Sequence, residues 1–65
     1  MNDNMTKQEA LKAMETGYKV SHKYFSNDEY IFMKNGEMFT EDGYYFEDEF
    51  ERRTEEIWQT SWRIY

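Results

Sequence analysis

The hydrophobic pattern of the chain first predicts a helix over about residues 7 to 16. One apolar stripe at helical spacing contains Ala10, Leu11, Ala13 and Met14. Ahead of it, Thr6 and Glu9 have the spacing of a capping box, in which the hydroxyl accepts from an early backbone N–H and the carboxylate reaches back to the cap. Gly17 follows as the residue that stops the helix in a left-handed conformation.

The pattern then changes to the alternation of a strand over residues 18 to 25. The predicted apolar face contains Tyr18, Val20, His22 and Tyr24, and the wetter face contains Lys19, Ser21 and Lys23. Residues 26 to 29 interrupt the alternation with Ser, Asn, Asp and Glu. We therefore expect a loop or a single helical turn after this strand.

Residues 30 to 46 carry two hairpin signals, Asn35-Gly36 and Asp42-Gly43, and predict a three-stranded meander. Two-residue turns at both sites would pair Lys34 with Glu37, Phe32 with Phe39, Phe39 with Phe46, and Glu41 with Tyr44. One face would then carry Tyr30, Phe32, Phe39, Tyr44 and Phe46, and the other Ile31, Met33, Met38 and Tyr45. We expect the N-terminal helix to cover the face that contains the phenylalanines.

A second, acidic helix is predicted before a C-terminal strand at residues 61 to 65. Asp48 and Glu51 have the spacing of another capping box. The apolar residues at helical spacing in this segment are Phe50, Ile57 and Trp58, with Thr54 between them. The predicted fold class is α+β, with the N-terminal helix packed on an antiparallel sheet of four to five strands. Residues 1–65 form a single domain, in which we expect 1–5 to be a flexible tail.

Composition narrows the classes of function. The chain of 65 residues has no Cys and one His, which excludes disulfides and the usual zinc sites, so no metal is expected. The net charge is −6, and all of the excess lies in residues 35 to 65. An acidic surface repels phosphate, so we expect no direct binding of nucleic acid. No apolar stretch approaches the roughly 20 residues that span a bilayer, which favours a cytoplasmic protein without membrane contact.

Catalytic candidates are weak. His22 stands alone on an apolar strand face, where a histidine is more often packed or hydrogen-bonded than a base or a ligand. Asp48 and Glu51 form a carboxylate pair, but so many carboxylates in one half make such pairs frequent by chance. No phosphate-binding glycine loop and no nucleophile elbow occurs. We therefore expect a protein that is not an enzyme and has no cofactor.

The acidic half has two interpretations. It is a solvated surface that keeps an aromatic-rich protein soluble, or its carboxylates imitate the phosphates of nucleic acid and occupy the basic groove of a nucleic-acid-binding protein. For the second interpretation, the candidate protein-binding residues are Glu41, Asp42, Tyr45, Glu47, Asp48, Glu51, Arg52 and Glu55. Arg52 dilutes the negative charge but is of a type favoured in interface hot spots.

Both ends of the chain resemble known small phage and prophage proteins. Residues 6 to 25, Thr-Lys-Gln-Glu-Ala-Leu-Lys-Ala-Met-Glu-Thr-Gly-Tyr-Lys-Val-Ser-His-Lys-Tyr-Phe, and the ending Ser-Trp-Arg-Ile-Tyr at residues 61 to 65 are similar to the Thoeris anti-defence type 2 proteins. That family sequesters a signalling nucleotide. The middle of this chain departs from the family, so no nucleotide-binding residue is carried over.

The resemblance implies a phage-type protein, and three hypotheses follow. The first is an inhibitor that blocks a bacterial host protein, such as a defence protein, through its acidic and aromatic surface. The second is a homo-oligomer that sequesters a nucleotide between aromatic side chains. The third is a structural oligomer or a component of the virion.

Overall fold

The sheet of this protein has four antiparallel strands in the order β3-β2-β1-β4. The computed structural model describes residues 4–65. Its elements are α1 (Lys7–Glu15), β1 (Val20–His22), β2 (Ile31–Lys34), β3 (Glu37–Thr40), α2 (Glu47–Arg52), a 3-10 helix (Glu56–Trp58) and β4 (Trp62–Ile64). One helix packed on an antiparallel sheet, with a second short helix before the last strand, confirms the predicted α+β class.

The capping box predicted for α1 is present. The Thr6 hydroxyl accepts from the backbone N–H of Glu9 at 3.1 Å, and the Glu9 carboxylate accepts from the backbone N–H of Thr6 at 2.8 Å. At the other end, Gly17 has a φ of 108° and turns the chain towards the sheet. Ala10 and Met14 point inward and are buried, so the predicted apolar stripe is the face that packs on the sheet.

The hairpin between β2 and β3 has the predicted register. Phe32 pairs with Phe39 and Lys34 pairs with Glu37. Asn35 has a φ of 54° and Gly36 a φ of 80°, the two left-handed residues of a type I′ turn. The Asn-Gly signal thus specifies both the turn and the pairing.

The second turn is one residue longer than predicted. Thr40 N donates to Tyr44 O at 2.8 Å, and Phe46 N donates to Met38 O at 2.9 Å, so the loop is formed by residues 41–43. Gly43 alone in this loop is left-handed, with a φ of 86°, as in three-residue hairpin loops. The predicted pairs of Phe39 with Phe46 and of Glu41 with Tyr44 are therefore wrong.

This slip of one residue exchanges the faces of the segment after the loop. Phe46 turns inward beside Met38 and is buried, whereas Tyr45 lies outward and bridges to Phe39. The third arm of the meander is this single bridge rather than a strand.

The helix α1 covers the face opposite to the predicted one. Ile31 and Met38 are buried on the covered face, where α1 contacts β2 and α2 contacts β3, and Phe32 lies on the uncovered side. The reason is that Val20 pairs with both Ile31 and Ile64, so the aliphatic face continues across the sheet. The other face carries the polar pair of Ser21 on β1 and Arg63 on β4.

The strand predicted over residues 18 to 25 is shorter in the structure. Phe25 N donates to His22 O at 2.9 Å, and this turn ends β1 after His22. Tyr18 and Tyr24 therefore lie outside the strand and are exposed. Ser21, predicted on the wetter face, is fully buried, and its hydroxyl donates to Glu29 O at 2.9 Å.

The second helix also differs from the prediction. Its N-cap is Phe46, without a side-chain cap, so Asp48 and Glu51 do not form the predicted capping box. The backbone of Arg53, at φ −80° and ψ 78°, leaves the helical region and ends α2. Phe50 is buried, but Ile57 is exposed, because α2 ends at Arg52 and Ile57 lies in the separate 3-10 helix.

Residues 4 and 5 are part of the folded structure. Met5 and Trp62 exchange two backbone hydrogen bonds, of 2.9 and 3.1 Å, along the free side of β4. Asn4 accepts from Ser61 N at 3.1 Å through its side chain. These bonds join residues 4 and 5 to residues 61 and 62, whereas residues 1–3 of the predicted flexible tail lie outside the described part of the chain.

Candidate binding surface

The uncovered face of the sheet carries a row of five aromatic rings, which we call the aromatic ladder. Its members, in spatial order, are Tyr65, Tyr30, Phe32, Phe39 and Tyr45. Successive ring centroids lie 4.6, 6.1, 6.2 and 6.1 Å apart, within the range of aromatic pairs that attract each other. The ladder crosses the sheet from β4 to the segment that follows β3.

The register of the sheet explains how these rings come together. Every second side chain along β2 and β3 points to the uncovered face, where Phe32 of β2 pairs with Phe39 of β3. The bridge from Phe39 to Tyr45 extends the row outward. The three inner rings are largely covered, and the two end rings are more exposed. Tyr45 is 50% exposed and Tyr65 is 52% exposed.

The two ends of the ladder differ in charge. The Lys19 ammonium lies 4.9 Å from the centre of the Tyr30 ring, a cation–π contact. At the other end, four carboxylates act electrostatically on the Tyr45 phenol, and we call them the acidic cluster: Glu37, Glu47, Asp48 and Glu51. Partial desolvation and the negative charge of these four carboxylates raise the pKa of Tyr45 above its usual value.

Helix α2 positions most of the acidic cluster. Its first turn is acidic, which suits the positive end of a helix dipole. Glu47 and Glu51 are four residues apart and share one side of the helix, and Asp48 lies next to Glu47. Glu37 comes from the start of β3. The carboxylates that act on Tyr45 thus come from two elements.

Four of the eight predicted binding residues belong to this group. They are Tyr45 and the carboxylates of Glu47, Asp48 and Glu51 that act on its pKa, and Glu37 is a member that was not predicted. The other four have different surroundings. Glu41 accepts from Tyr30 N at 3.2 Å, and Asp42 is exposed in the adjoining loop. Arg52 and Glu55 line a shallow depression of about 310 Å³ with Glu49, Arg53 and Trp58.

His22 is a structural residue. Its ring is fully buried and packs on Trp58 and Trp62, at centroid distances of 4.4 and 4.8 Å. Both ring nitrogens are occupied by backbone partners. The interpretation of a packed, hydrogen-bonded histidine is confirmed.

Metal-ligand groups and membrane-spanning helices are not found in residues 4–65. No group of three or more His, Asp or Glu side chains in this range is placed to hold a metal ion. None of the helices in the same range is both long and apolar enough to cross a membrane.

Comparison with known proteins identifies no relative, so the functional inference depends on the fold and the surface. No family model matches the chain, and neither a curated protein nor a solved structure matches it. The protein is a small α+β domain with one aromatic sheet face, and the acidic cluster acts on the last ring of that face.

Proposed function

We propose that this protein is a non-catalytic binding protein that blocks a basic surface of another protein. The observation that supports the proposal is the half-exposed ring of Tyr45 at the end of the aromatic ladder, just before the acidic first turn of α2. An aromatic face attracts Arg and Lys side chains through its quadrupole, and carboxylates accept charge-assisted hydrogen bonds from them. Tyr45 and the acidic cluster therefore suit a partner that presents guanidinium or ammonium groups.

The aromatic ladder supplies the apolar part of the proposed interface. Tyr and Phe are enriched in protein interfaces because rigid rings bury a large area at a low cost in conformational entropy. The ladder is continuous with Tyr45, so a partner that binds the acidic cluster also covers Phe39 and Phe32. The net charge of −6 would steer a basic partner towards this surface.

A bacterial host protein that carries a basic groove, such as a defence protein, is the proposed class of partner. The resemblance of residues 6 to 25 and 61 to 65 to small phage proteins supports the choice of a host factor. The acidic cluster supports the choice of a basic groove, which normally holds nucleic acid. In this proposal the protein acts by occupation and carries out no chemistry.

The test is capture of a partner from a bacterial lysate by the tagged protein, followed by mass spectrometry and repetition with the purified partner. We expect Tyr45→Ala and Asp48→Lys each to weaken binding by about tenfold or more. Glu56→Lys is the matched control, since it makes the same change of charge at an exposed residue outside the acidic cluster. Equal binding by all three variants would contradict the proposal.

A calorimetric titration with cyclic and linear nucleotides separates the proposal from the rival nucleotide-sequestering homo-oligomer. A protein that only blocks another protein gives no heat of binding with these ligands. A saturable heat, together with self-association in sedimentation, would favour the rival instead.

A further inference from the structure

On the opposite side of the hairpin from the aromatic ladder, a groove of about 850 Å³ lies between α1, α2 and the β2–β3 turn. Its apolar lining consists of Leu11, Met14, Met33, Met38 and Phe50. Met14, Met38 and Phe50 are buried, whereas Leu11 and Met33 are only partly covered by the rest of the fold. The apolar surface that the groove leaves open is therefore formed by Leu11 and Met33.

The partly exposed part of the lining is adaptable in shape. Of the three methionines that line the groove, Met14 and Met38 are buried in the core, and Met33 stays partly exposed beside Leu11. Methionine is unbranched and polarisable, and it is common on surfaces that accept helices of varied sequence. Met33 is thus suited to contact apolar side chains of differing size.

The rim of the groove is acidic. Glu15, Glu47 and Glu51 stand along it, and none of them makes an ion pair within residues 4–65. The opposing cation is Lys7, whose ammonium donates to Arg53 O at 2.9 Å and lies 4.9 Å above the Phe50 ring. Lys7 also attracts Glu51, so the rim carries one cation against three carboxylates and its net charge is negative.

The shape of the groove points to an elongated occupant. Its lining follows α1 from Lys7 to Gly17, and nine helical residues span about 14 Å at the usual rise. That length matches two to three turns of a second helix. A helix laid in such a groove inserts side chains at positions i, i+3 or i+4, and i+7.

We propose that the groove binds the apolar face of a basic amphipathic helix of the partner protein. This inference rests on the proposed function and specifies the segment that is bound. Leu, Met or Phe side chains of that helix enter between Leu11 and Met33, and its Lys and Arg side chains lie against Glu15, Glu47 and Glu51. Two of these carboxylates, Glu47 and Glu51, also belong to the acidic cluster, so the groove and the cluster share one wall, α2.

The test uses fluorescence anisotropy of a labelled synthetic helix of about 15 residues, with Leu at i, i+4, i+7 and i+11 and Lys at the other positions. One control peptide has the same composition in an order without an apolar face, and another has Glu in place of Lys. We expect binding of the first peptide only, weakening as salt is added. Equal binding of the peptide without an apolar face would overturn the proposal, because charge alone would then explain it.

Variants locate the bound peptide. Leu11→Lys removes apolar lining and adds a cation, and we expect it to weaken the complex by at least about tenfold. Glu15→Lys, at an exposed position in the last turn of α1, is favourable for the helix dipole and keeps the fold, and we expect a loss of about threefold. Glu56→Lys is the control for charge and should bind as the wild type does.

The same assay separates this proposal from the previous one. Tyr45 is not part of the groove lining, so Tyr45→Ala should bind the peptide normally. If Leu11→Lys and Glu15→Lys leave peptide binding unchanged, the groove proposal is wrong, whatever the Tyr45 variant does to partner capture. If Tyr45→Ala leaves partner capture unchanged while the peptide still binds in the groove, the Tyr45 ring is not part of the binding site and the proposed function is wrong in its use of the aromatic ladder.

Discussion

The Nε2 atom of His22 lies 2.8 Å from the carbonyl oxygen of Thr60 and 2.9 Å from that of Ile57. Both partners are acceptors, so Nε2 carries the proton and donates. Nδ1 accepts from the backbone N–H of Tyr24 at 3.1 Å. The partners therefore select the neutral ring in one tautomer, and burial lowers the pKa of His22 below its ordinary value of 6.5 although the two carbonyls oppose the shift.

This arrangement predicts that the protein loses stability as the pH falls below about 6.5. The unfolded chain takes up the proton of His22 first, because the pKa is lowered only in the folded state. The contribution of a neutral His22 is complete above that pH, and it declines as the pH falls towards the lowered pKa, by at most about 1.4 kcal/mol per pH unit. Urea unfolding between about pH 7.5 and about pH 5.5 measures the change.

The matched variant for this prediction is His22→Gln. The Gln side chain amide keeps an N–H donor for the carbonyls of Thr60 and Ile57 but does not titrate. We expect it to be less stable at neutral pH, since it loses ring packing on Trp62, and to show a flatter dependence on pH. The same pH dependence in the variant would assign the effect to the carboxylates instead.

A second prediction concerns Trp62, which is fully buried and donates from its indole N–H to Trp58 O at 2.8 Å. Trp62→Phe leaves a cavity and an unpaired carbonyl, and we expect it to lower the free energy of unfolding by about 2 to 3 kcal/mol. Urea denaturation followed by circular dichroism measures the loss. Tyr65→Phe, at a half-exposed ring next to β4, is the control and should stay within about 0.5 kcal/mol of the wild type.

Local signals were enough to predict α1 and the hairpin of β2 and β3. The capping box of Thr6 and the left-handed pair at Asn35 and Gly36 each act within a few residues. Asp42-Gly43 is ambiguous, because such a pair suits a two-residue turn as well as a loop with one left-handed glycine. The length of the loop decides which face each following side chain takes. With the three-residue loop, Tyr45 pairs with Phe39 and lies on the outer face.

The candidate surface was predictable only in part, for a similar reason. Tyr45, Glu47, Asp48 and Glu51 are close along the chain, so α2 brings them together locally. The ladder depends instead on the strand order, which places Tyr65 beside Tyr30 across the sheet. No periodicity within one segment carries that information. The groove likewise depends on how α1, α2 and the β2–β3 hairpin come together. The helical spacing of apolar residues within one segment does not indicate this.

The loop of residues 41–43 gives a third prediction. Gly43 has a φ of 86°, and no heavy atom lies within 4 Å of the position that a Cβ would take there, so Gly43→Ala meets backbone strain without a steric clash. We expect it to lower the free energy of unfolding by about 1 to 2 kcal/mol. Gly43→Asn should cost less, because Asn tolerates the left-handed region. If Ala and Gly are equally stable here, the loop does not have this conformation and Tyr45 need not face outward.

The fourth prediction tests the electrostatics of the acidic cluster through Tyr45. The pKa of this phenol is raised by partial desolvation and by Glu47, Asp48, Glu37 and Glu51, so its ionisation requires a higher pH than an unperturbed tyrosine. Asp48→Asn removes one of these charges and should lower the pKa of Tyr45, whereas Glu56→Gln should not change it. Added salt should lower the pKa of Tyr45 in the wild type more than in Asp48→Asn, because salt screens only the charge contribution.

NMR of the tyrosine ring resonances during an alkaline titration measures this pKa, and the Tyr45→Phe variant assigns the resonances of Tyr45. A pKa of Tyr45 that neither Asp48→Asn nor salt changes would mean that the carboxylates do not act on the ring, and the cation-binding site inferred from them would lose its support.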